Sequence, residues 1–341
     1  MRTFFDERQL AHAPVRELYN GDWADHAEVP HRARDIAGLF ACGAASDFGM
    51  GPIEAVHDGE YLAFLQSAWS DWRAAGRPGD AIPYTFPVVR RRQLPLERID
   101  ARLGRFAFDA GTPIAEHTWD AAYWAAQTAL SALEALRGGE RHAFALCRPP
   151  GHHAGSDYMG GYCYLNNAAI AARQAQEWGM GPVAVLDVDY HHGNGTQDIF
   201  YEDGEVFFAS IHADPRTDYP FYWGHADERG EGAGLGATLN LPLPRGTEWA
   251  AYSEALALAG EAIAGWGARM LVLSFGADTF EGDPISHFRL GREDFARLGV
   301  GVAAMGLPTL VVMEGGYAVS DLGRNVASFV GGFGPSSSPR A

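Results

Sequence analysis

Cysteine is scarce in this 341-residue chain: Cys42, Cys147 and Cys163 are the only three. An odd number at wide spacings suits neither a disulfide framework nor a paired-cysteine metal site, so reduced thiols in a core are expected. Basic residues are also few, 26 Lys plus Arg against 43 Asp plus Glu, for a formal net charge of −17. A phosphate-backbone ligand needs a basic patch and none is visible, so nucleic acid is excluded as a partner. The same field favours cationic substrates. No run approaches the ~18 apolar residues of a membrane span, and the N-terminus MRTFFDERQL lacks the apolar core of a signal peptide. A cytoplasmic protein without a membrane partner is expected.

What is present suits a globular enzyme: 47% of residues are hydrophobic, enough for a sizeable core. The length allows one large domain or two smaller ones, and no linker-like shift in composition divides it, so one domain is the better count. It should span residues 1–333, with a disordered tail over residues 334–341 (GPSSSPRA).

Five short, non-alternating apolar runs read as buried parallel strands. They are His142 to Cys147, Pro182 to Val188, Val206 to Ile211, Arg269 to Phe275 and Pro308 to Met313. Helical periodicity fills most gaps: Trp119 to Arg137, Ala168 to Trp178, Trp249 to Trp266 and Glu293 to Met305, each followed by the glycine of a helix C-cap. Alternation of this kind predicts βαβ crossovers and an α/β fold, a central, mostly parallel sheet flanked by helices. Residues 1–105 are harder to read, with one helical segment over Gly59 to Arg73. Their long loops are expected to serve function.

Parallel sheets bind ligands beyond the carboxyl ends of their strands, and all five predicted strands end in polar or glycine clusters. The first runs into Arg148-Pro-Pro-Gly-His152-His153, the second into Asp187-Val-Asp189-Tyr-His191-His192-Gly-Asn194, the third into Ser210-Ile211-His212, the fourth into Gly276-Ala-Asp278 and the fifth into Glu314-Gly-Gly-Tyr317. Asp187, Asp189 and His191 alternate at a strand end and so leave on one face. Carboxylates at the buried end of an apolar strand are costly unless paired or metal-bound. A lone aspartate there is more simply a cap or an ion pair, and an isolated His-His a surface pair. With Asp278 the cluster becomes an Asp/His/Asp set that leaves open positions on a divalent ion such as zinc. His152-His153 would then supply the base, and Tyr317 could hydrogen-bond a developing oxyanion.

These segments, together with Gly-Gly-Tyr-Cys-Tyr-Leu-Asn-Asn and Asp-Thr-Phe, in this order from about Pro14 to Tyr317, resemble the histone deacetylase superfamily. Overall length and Glu-Leu-Tyr at Glu17 to Tyr19 look closest to its bacterial acetylpolyamine amidohydrolases. The resemblance implies the arginase/deacetylase fold and zinc, or Fe(II) or another divalent ion in its place, on Asp189, His191 and Asp278. It implies His153 as general base and then acid, His152 as its electrostatic partner, Asp187 orienting His152, and Asn194 orienting His153 where the family often has aspartate. It maps one potassium ion onto Asp187, Asp189, His191, Ser210 and Ile211, and a weaker one near Phe200, Asp203 and Val206. Tyr162 and Tyr219 match the aromatic walls of the tunnel for the substrate's methylene chain, with Gly161 beside them.

A binuclear ureohydrolase on this fold would need aspartates where Gly193 and Phe280 stand, and a non-catalytic acyl-binding module would lack the base or the oxyanion donor. The open contest is between small acetylated polyamines and acyl-lysine on proteins. Glu17 could bind a distal ammonium, Asp100 matches another acidic position of the polyamine branch, and either carboxylate could equally be a solvated surface group. The glutamate gatekeeper of eukaryotic polyamine deacetylases is missing, since Ile285 follows Gly282-Asp-Pro. Arg90 to Leu103 matches an insertion that in the polyamine branch forms a dimer and narrows the entrance, so a homodimer acting on a small cationic acetylated amine is expected.

Overall fold

The computed structural model describes residues 1–88 and 95–334. Ten strands run in chain order: β1 Arg2–Phe4, β2 Arg16–Tyr19, β3 Asp22–Asp25, β4 Cys42–Gly43, β5 His142–Ala145, β6 Val183–Asp187, β7 Val206–Ala213, β8 Thr238–Leu243, β9 Met270–Phe275 and β10 Thr309–Met313. Eight form one sheet in the order β4-β1-β5-β10-β9-β6-β7-β8, and β2 and β3 form a separate antiparallel hairpin. All pairings in the large sheet are parallel. The expected central, parallel sheet is therefore present.

The continuous apolar runs are explained by burial on both faces. On β6, Val183 and Val185 face one core while Ala184 and Leu186 face the other; β9 and β10 alternate in the same way. Helices Thr118–Arg137 and Asn167–Glu177 cover the first face with small side chains such as Ala125, Ala129, Ala168 and Ala172. Helices Trp249–Trp266, Arg292–Ala304 and Val319–Gly332 cover the second through Tyr252, Phe295 and Phe329. Each fully buried Leu, Ile, Val or Phe contributes roughly 1.5–3 kcal/mol by leaving water.

The N-terminal third, unread from sequence, supplies β1 and β4 to one sheet edge, the β2–β3 hairpin, and a smaller core of Tyr61, Phe64, Leu65, Leu103 and Phe106. β8, which the sequence reading missed, forms the other edge. As an edge strand it can hold Pro242, which has no N–H for a ladder. Strand β6 ends at Asp187, so Asp189 and His191 lie just beyond it on the loop and not on the strand itself. The predicted tail lies, apart from Gly334, outside the described residues, as does much of the start of the predicted dimer insertion.

Candidate active site

β6 lies between β9 and β7, and β10 lies on the far side of β9, so the carboxyl ends of these strands adjoin. Asp187 pairs with Ser274 on β9 and with Ser210 on β7. The loops beyond carry Asp189 and His191 from β6, Asp278 from β9, and Glu314 to Tyr317 from β10. Ligand atoms of Asp189, His191 and Asp278 lie within 4.8 Å of one another. His191 Nδ1 is 3.1 Å from Asp278 Oδ2 and 3.4 Å from Asp189 Oδ1.

Main-chain donors hold both carboxylates: Gly315 N–H donates to Asp189 Oδ2 at 2.8 Å, His191 N–H to Asp189 Oδ1 at 2.9 Å, and Tyr190 N–H to Asp278 Oδ1 at 2.9 Å. Gly315 is required here, because a Cβ would stand 2.5 Å from Asp278 Oδ2 and 2.6 Å from Asp189 Oδ2. Burial, then the charge of Asp189, pushes Asp278 up to about 7. Two fully buried carboxylates facing one imidazole, with no arginine among the described residues bonded to either, form a donor set that fits a divalent cation, which would relieve their repulsion.

Beside this set, His152 Nδ1 is 2.8 Å from Asp187 Oδ2 and His153 Nδ1 is 2.6 Å from Asn194 Oδ1. The two rings are 4.1 Å apart, yet their environments drive them in opposite directions. Burial disfavours a charged His152, but the charges of Asp187 and Asp189 override it and push the imidazole up to about 10. Burial, then the neighbouring cationic His152, holds His153 well below the ordinary imidazole value. His152 thus stays cationic while His153 stays neutral, its Nδ1–H spent on an oxygen acceptor and its Nε2 lone pair free.

Tyr317 is buried, and that burial raises its hydroxyl well above the usual phenol value against the opposing charge of Arg32, so it keeps its proton. The Arg32 guanidinium lies 4.8 Å over the Tyr317 ring and donates to the carbonyls of Gly316 at 2.6 Å and Glu314 at 2.7 Å. Glu314 accepts from Gly151 N–H, His152 N–H and Ser274 Oγ, so its carboxylate ties the His-His turn to the β9 and β10 ends. His152, Cys163 and Glu314 also stand close enough to suggest a second ligand set, but this engagement makes Glu314 scaffold. Sequence reasoning missed Arg32, whose signal is weak: one arginine in a Gly-, Pro- and charge-rich region.

A cavity of about 340 Å³ opens from this floor to the surface, lined by His153, Gly161, Tyr162, His191, Tyr219 and Tyr317 below and by Glu17, Asp109, Phe221 and Ile285 above. That volume suits a small linear molecule. Both expected wall tyrosines are there, each tied to a carboxylate: Tyr162 hydrogen-bonds Glu17, and Tyr219 donates to Asp109 at 2.8 Å. Asp109 also accepts from Gly161 N–H at 2.7 Å, a bracing role the sequence reading did not assign. Glu17, on β2, is buried in the wall, and that burial pushes its carboxyl up to about 7.

Asp100 is not brought to this cavity. Its Oδ2 is taken up by Arg77 at 2.7 Å and by Arg98 at 2.5 Å, two cations close enough to neutralise it where it stands. Of the residues mapped to potassium, Asp187, Ser210 and Ile211 meet across β6 and β7. Phe200, Asp203 and Val206 gather at the start of β7, where Arg173 binds the Asp203 carboxylate at 2.7 Å.

The family model described as "Histone deacetylase domain" matches residues 30–333. The chain belongs to this family. It is 48% identical over 339 residues to acetylpolyamine amidohydrolase 2 of Pseudomonas aeruginosa, covering 98% of each chain, and 45% identical to acetylpolyamine amidohydrolase of Mycoplana ramosa, covering 97% of this chain and 99% of that one. The crystal structure of acetylpolyamine aminohydrolase from Burkholderia pseudomallei superposes with a TM-score of 0.93 at 43% identity, covering 98% of each chain.

Proposed function

We propose that this chain is a metal-dependent amidohydrolase that cleaves the acetyl group from acetylated polyamines such as acetylputrescine, acetylcadaverine and acetylspermidine, yielding acetate and free amine. The observation that carries the reading is the meeting, at the floor of one cavity, of three metal-ligand side chains, an imidazole with a free Nε2 and a protonated phenol. Full-length relatives named for acetylpolyamines support the substrate class, as does the Glu17 carboxyl on the cavity wall.

Asp189, His191 and Asp278 would hold zinc, or Fe(II) or another divalent ion. The bound ion would supply the Lewis acid that polarises the acetyl carbonyl and acidifies a water molecule. His153 Nε2, kept unprotonated in the resting state by burial and the neighbouring charge of His152, takes the proton of the attacking water. Tyr317 donates its hydroxyl to the oxyanion that forms on the former carbonyl oxygen. His153 then returns the proton to the leaving nitrogen as the C–N bond breaks. His152, cationic throughout, opposes charge build-up on its neighbour. Tyr162 and Tyr219 flank the methylene chain, and Glu17 faces the distal ammonium.

Potassium at Asp187, Ser210 and Ile211 rests on the family resemblance. At Phe200, Asp203 and Val206 the ion would depend on carbonyl oxygens, since Arg173 occupies the one carboxylate. The homodimer is supported by exposed Tyr84, Phe86, Val88 and Leu96, which flank residues 89–94 in sequence; sedimentation would give its mass directly. No described helix is long and apolar enough to cross a membrane.

The deciding experiment compares kcat/KM for N-acetylputrescine, N-acetylcadaverine and N-acetylspermidine with that for an acetyl-lysine peptide. Polyamine values should exceed the peptide's by at least about tenfold, ~1.4 kcal/mol of transition-state binding. Equal or faster peptide turnover would instead mark a protein deacylase. Tyr317→Phe should lower kcat by ~10²–10³ with little change in KM, the usual loss for one oxyanion donor.

A further inference from the structure

Behind the His153–Asn194 contact the hydrogen bonds continue outward. Asn194 Nδ2 donates to the Tyr158 hydroxyl at 3.3 Å, and that hydroxyl donates to Asp198 Oδ2 at 2.6 Å. Asn194 is fully buried, Tyr158 half-buried and Asp198 exposed, so the chain runs from the floor of the cavity to the surface. Trp223 also hydrogen-bonds the Asp198 side chain.

We infer that Tyr158 and Asp198 are positioning residues that fix which face of the Asn194 amide meets His153, and thereby which ring nitrogen of His153 carries the proton. A phenol has one O–H. The Asp198 carboxylate can only accept, so it claims that hydrogen, and the phenol oxygen is left to accept from Asn194. The amide must then present NH₂ to Tyr158 and oxygen to His153. Oxygen at that point pairs only with Nδ1–H, which puts the His153 lone pair on Nε2, facing the reacting atoms. A Tyr158 hydroxyl free to rotate would let the amide turn over, offer NH₂ to Nδ1 and move the ring proton to Nε2, where it blocks base catalysis.

An aspartate in place of Asn194 would present oxygen whichever way it turned and would need no such control. Asn194 creates a two-way ambiguity, and the two residues behind it remove it. An amide is a poor proton carrier, so the chain orients rather than conducts. The backbone carbonyl of His153, 3.4 Å from Asn194 Nδ2, favours the same amide orientation more weakly.

The inference rests on His153 being the base, and the experiment separates the two. Full-length zinc-loaded protein carrying ¹⁵N in its histidine rings is compared as wild type, Tyr158→Phe and Asp198→Asn, with the His153 signals assigned by their loss in His153→Ala. Wild type should show a protonated Nδ1 and a bare Nε2, and each variant a mixture of the two tautomers. On N-acetylputrescine, kcat should fall by up to about tenfold in each variant, less than the ~10²–10⁴ attached to a whole general base, with KM within about twofold. The double variant should be no worse than Tyr158→Phe. In an Asn194→Asp background the same two substitutions should have no further effect on kcat. Wild-type tautomers and kcat in both variants, or an equal loss in the Asn194→Asp background, would overturn the inference. Wild-type tautomers that shift as expected in a protein without turnover would refute the proposed activity and leave the orienting chain standing.

Discussion

The Tyr317 backbone N–H donates to Asp283 Oδ2 at 2.6 Å. The same oxygen accepts from Ala318 N–H at 3.2 Å, and Asp283 Oδ1 accepts from Ile285 N–H at 3.1 Å. One carboxylate therefore locks the loop carrying the proposed oxyanion donor to the loop that carries Ile285 on the cavity wall. Asp283→Ala should lower kcat by roughly 10- to 100-fold, as expected for a donor displaced by a fraction of an ångström. Bound metal should remain stoichiometric; unchanged kcat would show that Arg32 alone holds the loop.

Gly161 has φ +54°, and a Cβ there would stand 2.1 Å from His153 Cδ2. Gly161→Ala combines a left-handed backbone that alanine resists with a clash against the proposed base. It should reduce turnover by more than ~10²-fold while metal content stays stoichiometric, since Gly161 touches none of the proposed ligands. Near-normal kinetics would mean that the loop yields without moving His153.

Burial raises the Glu17 carboxyl to about 7, so it is mostly charged above that pH and mostly neutral below. KM for a diamine-derived substrate should rise as pH falls through about 7, because the attraction for the distal ammonium is lost. In Glu17→Gln that rise should vanish, with KM near the wild-type acidic value throughout. Stability follows the same titration: the folded pKa lies above the unfolded value, so the group favours folding less as pH climbs from about 4.5 to about 7. Glu17→Gln should therefore melt higher than wild type at pH 8 and alike at pH 4. Parallel KM profiles in the two proteins would remove Glu17 from substrate binding.

Asp278→Ala takes one of the three proposed ligands and leaves Asp189 beside His191. Metal content by mass spectrometry should fall well below one ion per chain, and added zinc should not restore turnover. A variant retaining both metal and activity would show the ligand set to be wrong.

The five central strands and the chemistry at their ends were legible because each strand is buried on both faces and each end carries a compact motif. Edge strands were not. β1 has three residues, β4 has two, and β8 alternates around a proline, too short or too mixed to stand out. Within the site, His152, His153, Asp189, His191, Asp278 and Tyr317 could be named from sequence because they sit in recognisable strings. Arg32, Asp109, Asp283, Tyr158 and Asp198 stand apart from those strings, and their roles depend on which backbone group or hydroxyl the fold brings opposite. Asp100 is the converse case, since a position matched by resemblance gave no hint that Arg77 and Arg98 would pair with it.

The His191–Asp278 contact spans 87 positions of the chain, and β7 and β8 must be made before β9 can take its place beside β6. During synthesis the first two proposed ligands emerge long before the third, and Gly315, whose N–H holds Asp189, emerges later still. On the proposed ligand set an ion could be held firmly only by a chain that is almost finished, so metal acquisition would become a test of completed assembly: fragments ending before β9 would compete poorly for it.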